Sequence, residues 1–361
     1  MRFLERKSNM FRISICIPTY NFGKYIGETL DSITSQFGFD ESIEIIVFDG
    51  GSTDDTRDIV LSRKIKNLRY HFASERGGID ADMMAAAKLA SGEFIWLLSS
   101  DDVLPPGALW IILREIARDS AADLFVGTHT NCDINLRFMN YHPIFDEDLR
   151  IETILSDRYS RIEMLRKAKN SESIFSFMST LVVKNQVWHS VELDKKFMGT
   201  CWAHAARIFA IASEKEFKVI YLNEDIVYKR GENDSFLQND LLGRIALSIN
   251  GYHAIGKHFF GEKSEEYDEI RRIISNEITL PFFVFAITQS YRALGRSRYR
   301  MALQLARLNF KFASRKYFIA LFFSLVGQTK FTQKPLQFLI KLVLFIKYRS
   351  SVAIGIVKRF L

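Results

Sequence analysis

Residues 13–17, 43–48, 68–72, 94–98 and 123–128 are short runs dense in Ile, Val, Phe and Leu. Their length and their β-branched and aromatic content read as strands, with 94–98 covered on both faces. Helical patterns lie between them. Over 24–36, Tyr25, Ile26, Leu30 and Ile33 fall near helical spacing. Residues 55–62 form a helix that Thr53 or Asp54 can cap. Residues 79–90 form an alanine-rich helix closed by Ser91-Gly92, and 105–117 a helix with proline in its first turn. Strand and helix therefore alternate from 13 to 128. That pattern predicts an α/β, largely parallel sheet with right-handed crossovers.

The pattern weakens afterwards. Residues 133–169 are polar and mixed, and read as loop and short helix. Residues 174–183 read as a strand, 186–191 as a short helix and 201–210 as a helix. Short strands are expected at 218–222 and 226–229. From 241 onward only helices are expected, among them 282–294, 300–312, 316–326 and 336–348.

Three strand ends carry the candidate chemistry: Thr19-Tyr20-Asn21, Asp49-Gly50-Gly51-Ser52-Thr53-Asp54 and Ser99-Ser100-Asp101-Asp102. Parallel sheets bind ligands just outside the carboxyl ends of their strands. A lone Asp101-Asp102 after a strand reads more readily as a solvated turn opening the next helix. The acids and glycines at the other two strand ends reverse that. Two adjacent carboxylates repel unless a positive group lies between them and a ligand. A divalent cation holding a diphosphate fits, because hard cations prefer oxygen ligands.

Charge changes the picture of the C-terminal third. The 361-residue chain has a formal net charge of +7. Residues 278–361 contain no Asp or Glu but 15 Lys and Arg, leaving 34 basic residues against 42 acidic ones in the remainder. The basic residues alternate with Phe, Leu and Ile. That is the profile of amphipathic helices lying on a membrane surface, and it disfavours nucleic acid as a partner. An ordinary helical bundle docked on the acidic body is the alternative. The longest uncharged apolar run there, 317–326, is too short to span a bilayer, which takes about 20 residues. The first ten residues lack the apolar core of a secretory signal. Cys16, Cys132 and Cys201 are widely spaced, which fits a reducing compartment and no metal framework.

Ile15-Cys16-Ile17-Pro18-Thr19-Tyr20-Asn21, Val47-Phe48-Asp49-Gly50-Gly51-Ser52-Thr53-Asp54, Ala90-Ser91-Gly92-Glu93 and Ser100-Asp101-Asp102 together resemble the family-2 glycosyltransferases of the GT-A fold. A narrower resemblance links 175–236 to the abequosyltransferases of bacterial O-antigen assembly. It rests on Phe177-Met178-Ser179-Thr180-Leu181-Val182-Val183-Lys184, Gly199-Thr200 with His204, and Arg230-Gly231-Glu232-Asn233-Asp234-Ser235-Phe236.

The resemblance implies a Rossmann-like, mostly parallel nucleotide-sugar-binding domain over 11–235, with a nucleotide half at 11–130 and an acceptor half at 131–235. A helical, basic, membrane-associating region then covers 236–361. It implies a CDP-activated 3,6-dideoxyhexose such as CDP-abequose as donor, or a UDP-, GDP- or dTDP-sugar for another surface polysaccharide. The implied acceptor is a polyprenyl-diphosphate-linked glycan in O-antigen and lipopolysaccharide biosynthesis, at the cytoplasmic face of the bacterial inner membrane. Pro18, Thr19, Tyr20 and Asp49 should line the nucleotide pocket, with Asp49 accepting from the base and Asp80 helping to bind the nucleotide. Asp101 should lie near the ribose and counts with the catalytic residues, Ser100 counts with the donor-binding residues, and Asp102 should ligate Mg²⁺ or Mn²⁺. Two departures reduce the acid count: Gly50 and Ser100 stand where the family often has acids.

The base is expected at His204, where inverting relatives place an acid. An imidazole can take an acceptor hydroxyl's proton near neutral pH. A helix-start histidine packed on Trp202 is the structural alternative, and Asp194 and Asp234 are other candidates for the base. Trp188, Trp202 and Phe177 either stack on sugar or fill core. His129, His142 and His189 have no evident partners and read as structural or exposed. A nicotinamide-dependent oxidoreductase would need Gly-x-Gly-x-x-Gly after the first strand. The chain has Pro18-Thr19-Tyr20-Asn21-Phe22-Gly23 there instead. A non-catalytic membrane adaptor would have no need to keep Asp101 and Asp102.

Overall fold

In the computed structural model of the protein, the described residues are 11–145, 150–233, 241–294, 297–311 and 314–326. The chain divides into two compact units. The first comprises Met1–Thr130, Glu147–Arg161 and Phe175–Lys229, and the second Asn131–Asp146, Ile162–Ile174 and Arg230–Leu361.

The first unit opens with β1 (Ile13–Thr19), α1 (Gly23–Thr34), β2 (Ile43–Asp49), α2 (Thr56–Ser62), β3 (Leu68–Phe72), α3 (Ile79–Lys88), β4 (Phe94–Leu97), α4 (Ala108–Arg118) and β5 (Leu124–Cys132). The alternation expected from the sequence is therefore present. Later strands are β7 (Ile151–Ile154), β8 (Leu181–Lys184) and β9 (Lys218–Arg230), while β6 (Phe138–His142) belongs to the second unit. The sheet order is β3-β2-β1-β4-β8-β5-β9-β7, with β6 paired to β5. The four strands β3, β2, β1 and β4 are parallel. Beyond them β8 inserts between β4 and β5, antiparallel to both. The core lies on the sheet faces, where α1 buries Ile26, Leu30 and Ile33 and α4 buries Leu109, Ile112 and Ile116. The spacings, i, i+4 and i+7 in α1 and i, i+3 and i+7 in α4, are what make one helix face apolar.

Several elements differ from the sequence reading. The expected strand over 174–183 is 3₁₀ turns at Ser171–Ile174 and Met178–Thr180, followed by β8 alone. Phe175 takes φ +69°, a left-handed conformation that interrupts an extended run. The two expected strands at 218–222 and 226–229 are one, β9. The polar residues between them misled the pattern, but their side chains have partners across the sheet. Asp225 accepts from Thr128 Oγ1 at 2.6 Å, and Glu224 pairs with Arg114. Within 133–169, read as loop and short helix, lie β6, β7 and α5 (Arg158–Lys167).

One buried network explains the Ala90-Ser91-Gly92-Glu93 stretch. Glu44 on β2 accepts from Ser91 N at 2.7 Å, from Ser91 Oγ at 2.8 Å and from Ser14 Oγ, and pairs with Arg69 at 2.8 Å. Gly92 N donates to Ser14 Oγ at 2.7 Å. A buried carboxylate is tolerated where donors surround it in this way.

The second unit contains α8 (Leu241–Phe259), α9 (Glu265–Glu277), α10 (Leu280–Leu294), α11 (Ser297–Asn309) and α12 (Arg315–Val326). Ser264 Oγ caps α9, accepting from Tyr267 N at 3.1 Å, with Glu265, Glu266 and Asp268 in the first turn. The sequence reading assigned 162–174 to the acceptor half of the sheet domain. The structure groups that segment with the helices, and the reason is visible in α9. Arg272 donates to the carbonyls of Leu165 at 2.7 Å and Ala168 at 3.2 Å, and Glu277 accepts from Ser171 N at 2.7 Å. The helix expected at 336–348 lies outside the described residues. No described helix is long and apolar enough to cross a membrane.

A Cβ at Gly92 would lie 2.7 Å from both Ser14 N and Ser14 Oγ. Backbone cannot yield as a flexible side chain does. Gly92→Ala should therefore lower stability by about 1–3 kcal/mol, read as an earlier midpoint in urea melts; an unchanged midpoint would contradict this packing.

Candidate active site

β2, β1 and β4 are neighbours and parallel, so their carboxyl ends face the same edge of the sheet. At that edge Thr19 is in register with Asp49. Gly50 N donates to the Thr19 carbonyl at 2.9 Å. Asp49 is fully buried, and both of its oxygens are held. Oδ1 accepts from Ser52 N at 2.7 Å, and Oδ2 from the Tyr70 hydroxyl at 2.6 Å. Burial and the adjacent carboxylate push the Tyr70 phenol well above its ordinary pKa, so it remains a donor. Tyr70 was not singled out in the sequence. No local signal marks it, because the contact depends on β3 pairing with β2.

The first two loops are stapled together. Asn21 adopts φ +57°, a conformation Asn tolerates better than most residues. Its Oδ1 accepts from Thr53 N at 2.7 Å, and its N–H donates to Ser52 Oγ at 2.8 Å. Phe22 N and Gly23 N donate to Thr56 Oγ1 and Asp54 Oδ2 at 3.1 and 3.0 Å. The Thr-Tyr-Asn and Asp-Gly-Gly-Ser-Thr-Asp stretches thus form one structure. Pro18 pairs with Phe48 at the end of the same ladder. Arg76 lies 4.1 Å over the Tyr20 ring, a cation–π contact that places positive charge at the mouth of this edge.

Asp101 and Asp102 follow β4 directly. Leu98 N still bonds the Cys16 carbonyl at 3.0 Å, and Val103 exchanges backbone hydrogen bonds with Tyr228 on β9. The two acids are therefore fixed between a strand and a bridge. Asp102 is 2% exposed and accepts from Ser179 Oγ at 2.7 Å. Ser179 is itself anchored: its Oγ accepts from Ser99 N at 3.0 Å and its carbonyl from Trp96 Nε1 at 2.8 Å. Asp101 accepts from Ser99 Oγ. Ser100 is buried and its carbonyl takes Thr29 Oγ1 at 3.0 Å. Ser179 lies in a stretch that the sequence marked, but its role became visible only when the turn at 178–180 brought it to Asp102.

The donor set suits a hard divalent cation, since it consists of carboxylate oxygens. Among the described residues, no third His, Cys, Asp or Glu joins Asp101 and Asp102 in a ligand cluster. Such a site holds Mg²⁺ or Mn²⁺ well only when diphosphate oxygens complete the coordination shell.

Asp80 ties α3 to a distant segment. Its carboxylate accepts from Cys201 N at 2.8 Å and Ala203 N at 3.3 Å, at the start of α7 (Ala203–Glu214). It thereby satisfies backbone donors that a helix N-terminus leaves unpaired. Burial nevertheless raises its pKa.

His204 lies in the first turn of α7. It is 4% exposed, and burial lowers its pKa to about 4 while the carbonyls of Phe175 and Ser176 accept from the ring. Nε2 has no partner among the described residues. Burial therefore holds the ring in its neutral form at pH 7. Asp194 caps the 3₁₀ turn Lys195–Phe197 and pairs with Lys196 at 2.8 Å; Asp234 lies outside the described residues.

Trp188 and Trp202 are buried and belong to the core, with Arg207 5.2 Å over Trp188. The three histidines thought to be without partners have them. His129 packs 4.7 Å from Phe177, His142 meets Glu172 at 3.0 Å, and His189 bonds the Ala87 carbonyl at 3.2 Å.

A parallel sheet edge carrying Thr19, Asp49 and Asp101-Asp102 defines a GT-A glycosyltransferase, and the comparisons agree. The profile described as "Glycosyl transferase family 2" matches residues 14–182. The abequosyltransferase RfbV of Salmonella typhimurium is 30% identical over 258 residues, covering 69% of this chain and 76% of RfbV. The chain belongs to glycosyltransferase family 2. Solved structures share the fold at low identity. The Staphylococcus aureus TarS 1–349 complex with UDP superimposes with a TM-score of 0.56 at 16% identity, covering 90% of this chain and 92% of that one. The mannosyltransferase PcManGT of Pyrobaculum calidifontis, in complex with GDP-Man and Mn²⁺, gives 0.50 at 15% identity, covering 91% and 90%.

Because its folded pKa is depressed, His204 contributes stability above pH 6.5 that is lost as pH falls from 6.5 toward 4. The contribution is up to about 3 kcal/mol. His204→Gln should flatten the loss of stability over that window in pH-dependent urea melts. An equally steep loss in the variant would mean that the histidine is not held neutral by burial.

Proposed function

We propose that this glycosyltransferase takes a nucleoside-diphosphate sugar at the carboxyl edge of β1, β2 and β4. The observation that carries the reading is Asp102, buried and fixed by Ser179 beside Asp101, at the sheet edge that also holds Asp49. Pro18, Thr19, Tyr20 and Asp49 line the nucleoside side of the pocket. Ser100 and Asp101 lie toward the ribose, and Asp102 holds the divalent cation with the diphosphate. When bound, Mg²⁺ or Mn²⁺ would stabilise negative charge on the departing diphosphate. The chain's own contribution is to fix the two carboxylates in advance, so that little reorganisation is needed at reaction. Asp80 acts through the loop before α7, which it ties down.

The donor sugar in this reading is a 3,6-dideoxyhexose of the abequose type, carried by CDP. The likeness to RfbV supports this. The acceptor is a polyprenyl-diphosphate-linked glycan of O-antigen and lipopolysaccharide assembly, at the cytoplasmic face of the bacterial inner membrane. The helical unit supports a membrane-surface location. On α12, Tyr317 and Ala320 turn inward, whereas Phe318 and Phe322 are 58% and 56% exposed, alongside exposed Arg315 and Lys316. Aromatic and cationic side chains on one outer face are what an anionic lipid surface holds.

Asp102→Asn should reduce transfer by more than about 10³-fold, in line with losing a charge-stabilising group, while the ligand-free melting temperature stays near wild type. In a thermal-shift panel with Mn²⁺, CDP at a hundredfold excess over its Kd should stabilise the wild type by about 2.7 kcal/mol, and UDP, GDP or dTDP at the same concentration should stabilise it less. Wild-type turnover by the variant, or no shift with any nucleotide, would overturn the reading. Phe318→Ser with Phe322→Ser should weaken sedimentation with vesicles of anionic phospholipid several-fold and leave transfer to a soluble acceptor analogue unchanged. Undiminished sedimentation would remove α12 as the contact.

A further inference from the structure

Asp82 lies one residue short of a helical turn into α3 and is 5% exposed. No described residue donates a hydrogen bond to its carboxylate or forms an ion pair with it. What acts on its charge is burial, which raises its pKa, the attraction of Arg76 and the repulsion of Asp49. A mostly buried carboxylate that no protein group meets depends on solvent or a ligand for its hydrogen bonds.

Its position is set by two glycines. A Cβ on Gly50 would overlap Asp82 Oδ2, and one on Gly77 would lie 2.9 Å from Oδ1. Gly50 directly follows Asp49 at the end of β2 and bonds the Thr19 carbonyl. Asp82 thus occupies the space that a side chain at position 50 would fill, though it arrives from a different helix. Thr19 Oγ1, at the same end of the ladder, is a buried polar atom with no partner among the described residues. Asp82, with no protein donor among the described residues, and the unpartnered Thr19 hydroxyl thus lie beside Asp49. An unfilled set of acceptors is complementary to a ligand edge that carries N–H groups.

We propose that Asp82 binds the base of the donor nucleotide, its carboxylate accepting from a ring or exocyclic N–H on the edge that also reaches Asp49. The inference rests on the nucleoside-diphosphate reading of this edge. Each common base offers such a donor, so Asp82 contributes affinity for the nucleoside rather than choosing among bases. Gly50 is required because any side chain there would compete for the same space.

Calorimetric titration of the full chain with CDP in the presence of Mn²⁺ tests this. Asp82→Ala and the isosteric Asp82→Asn should each raise the Kd for CDP about 10- to 100-fold, the range for losing a hydrogen bond to a charged group. The Mn²⁺ concentration needed at saturating CDP should not change. Adding Gly50→Asp to Asp82→Ala should recover part of the affinity, whereas Gly50→Asp in the otherwise native chain should weaken binding. If wild type binds no nucleoside diphosphate, the functional reading itself fails. If wild type binds CDP and both Asp82 variants bind it as tightly, only the assignment of Asp82 fails. A changed Mn²⁺ requirement, or no recovery in the double variant, would likewise overturn it.

Discussion

Asp49, Asp80, Asp82 and Asp102 are all nearly or fully buried in the first unit. Burying carboxylates costs free energy unless donors or cations meet them. Much of the local architecture is the answer to that cost. Asp49 is met by the Ser52 amide and the Tyr70 hydroxyl, Asp80 by two amides before and at the start of α7, and Asp102 by Ser179. Asp82 is the exception, and so points to a ligand.

The same logic explains why the site is rigid. The donors to Asp80 and Asp102, and Tyr70 to Asp49, come from segments distant in sequence, so these hydrogen bonds also fix loops. Ser179 ties the turn at 178–180 to the end of β4, and Asp80 ties the first turn of α3 to the start of α7. Asn21 joins the first two strand–loop junctions. Electrostatic catalysis needs groups that are already in place when charge develops. A glycosyl transfer with a diphosphate leaving group gains directly from that arrangement.

The nucleotide half was legible because parallel strands covered by helices leave strong periodic signals, and because ligands collect at strand ends. Failures of the sequence reading cluster where long-range contacts override pattern. The stretch 174–183 looks apolar enough for a strand, yet Phe175 turns left-handed and Ser179 is drawn to Asp102. The polar residues within β9 look like a break, yet Thr128 and Arg114 supply partners from neighbouring elements. His204 was singled out by its place at a helix start, which says nothing of how deeply the ring is buried. Asp80 and Asp82 stand two residues apart, and nothing local tells which faces α7 and which faces Gly50.

The sequence by itself determined the strand–helix alternation, the three acid- and glycine-bearing strand ends, the family resemblance and the acid-free basic tail. These follow from local periodicity and composition, which are properties of neighbouring residues. Only the tertiary structure decided the insertion of β8 beside β4, the grouping of 162–174 with the helices, and the neutrality of His204. It also decided which carboxylate has donors and which lacks them. Burial and hydrogen-bond partnership depend on residues as many as 123 positions apart, as for Asp80 and Ala203, and no stretch of chain carries that information alone.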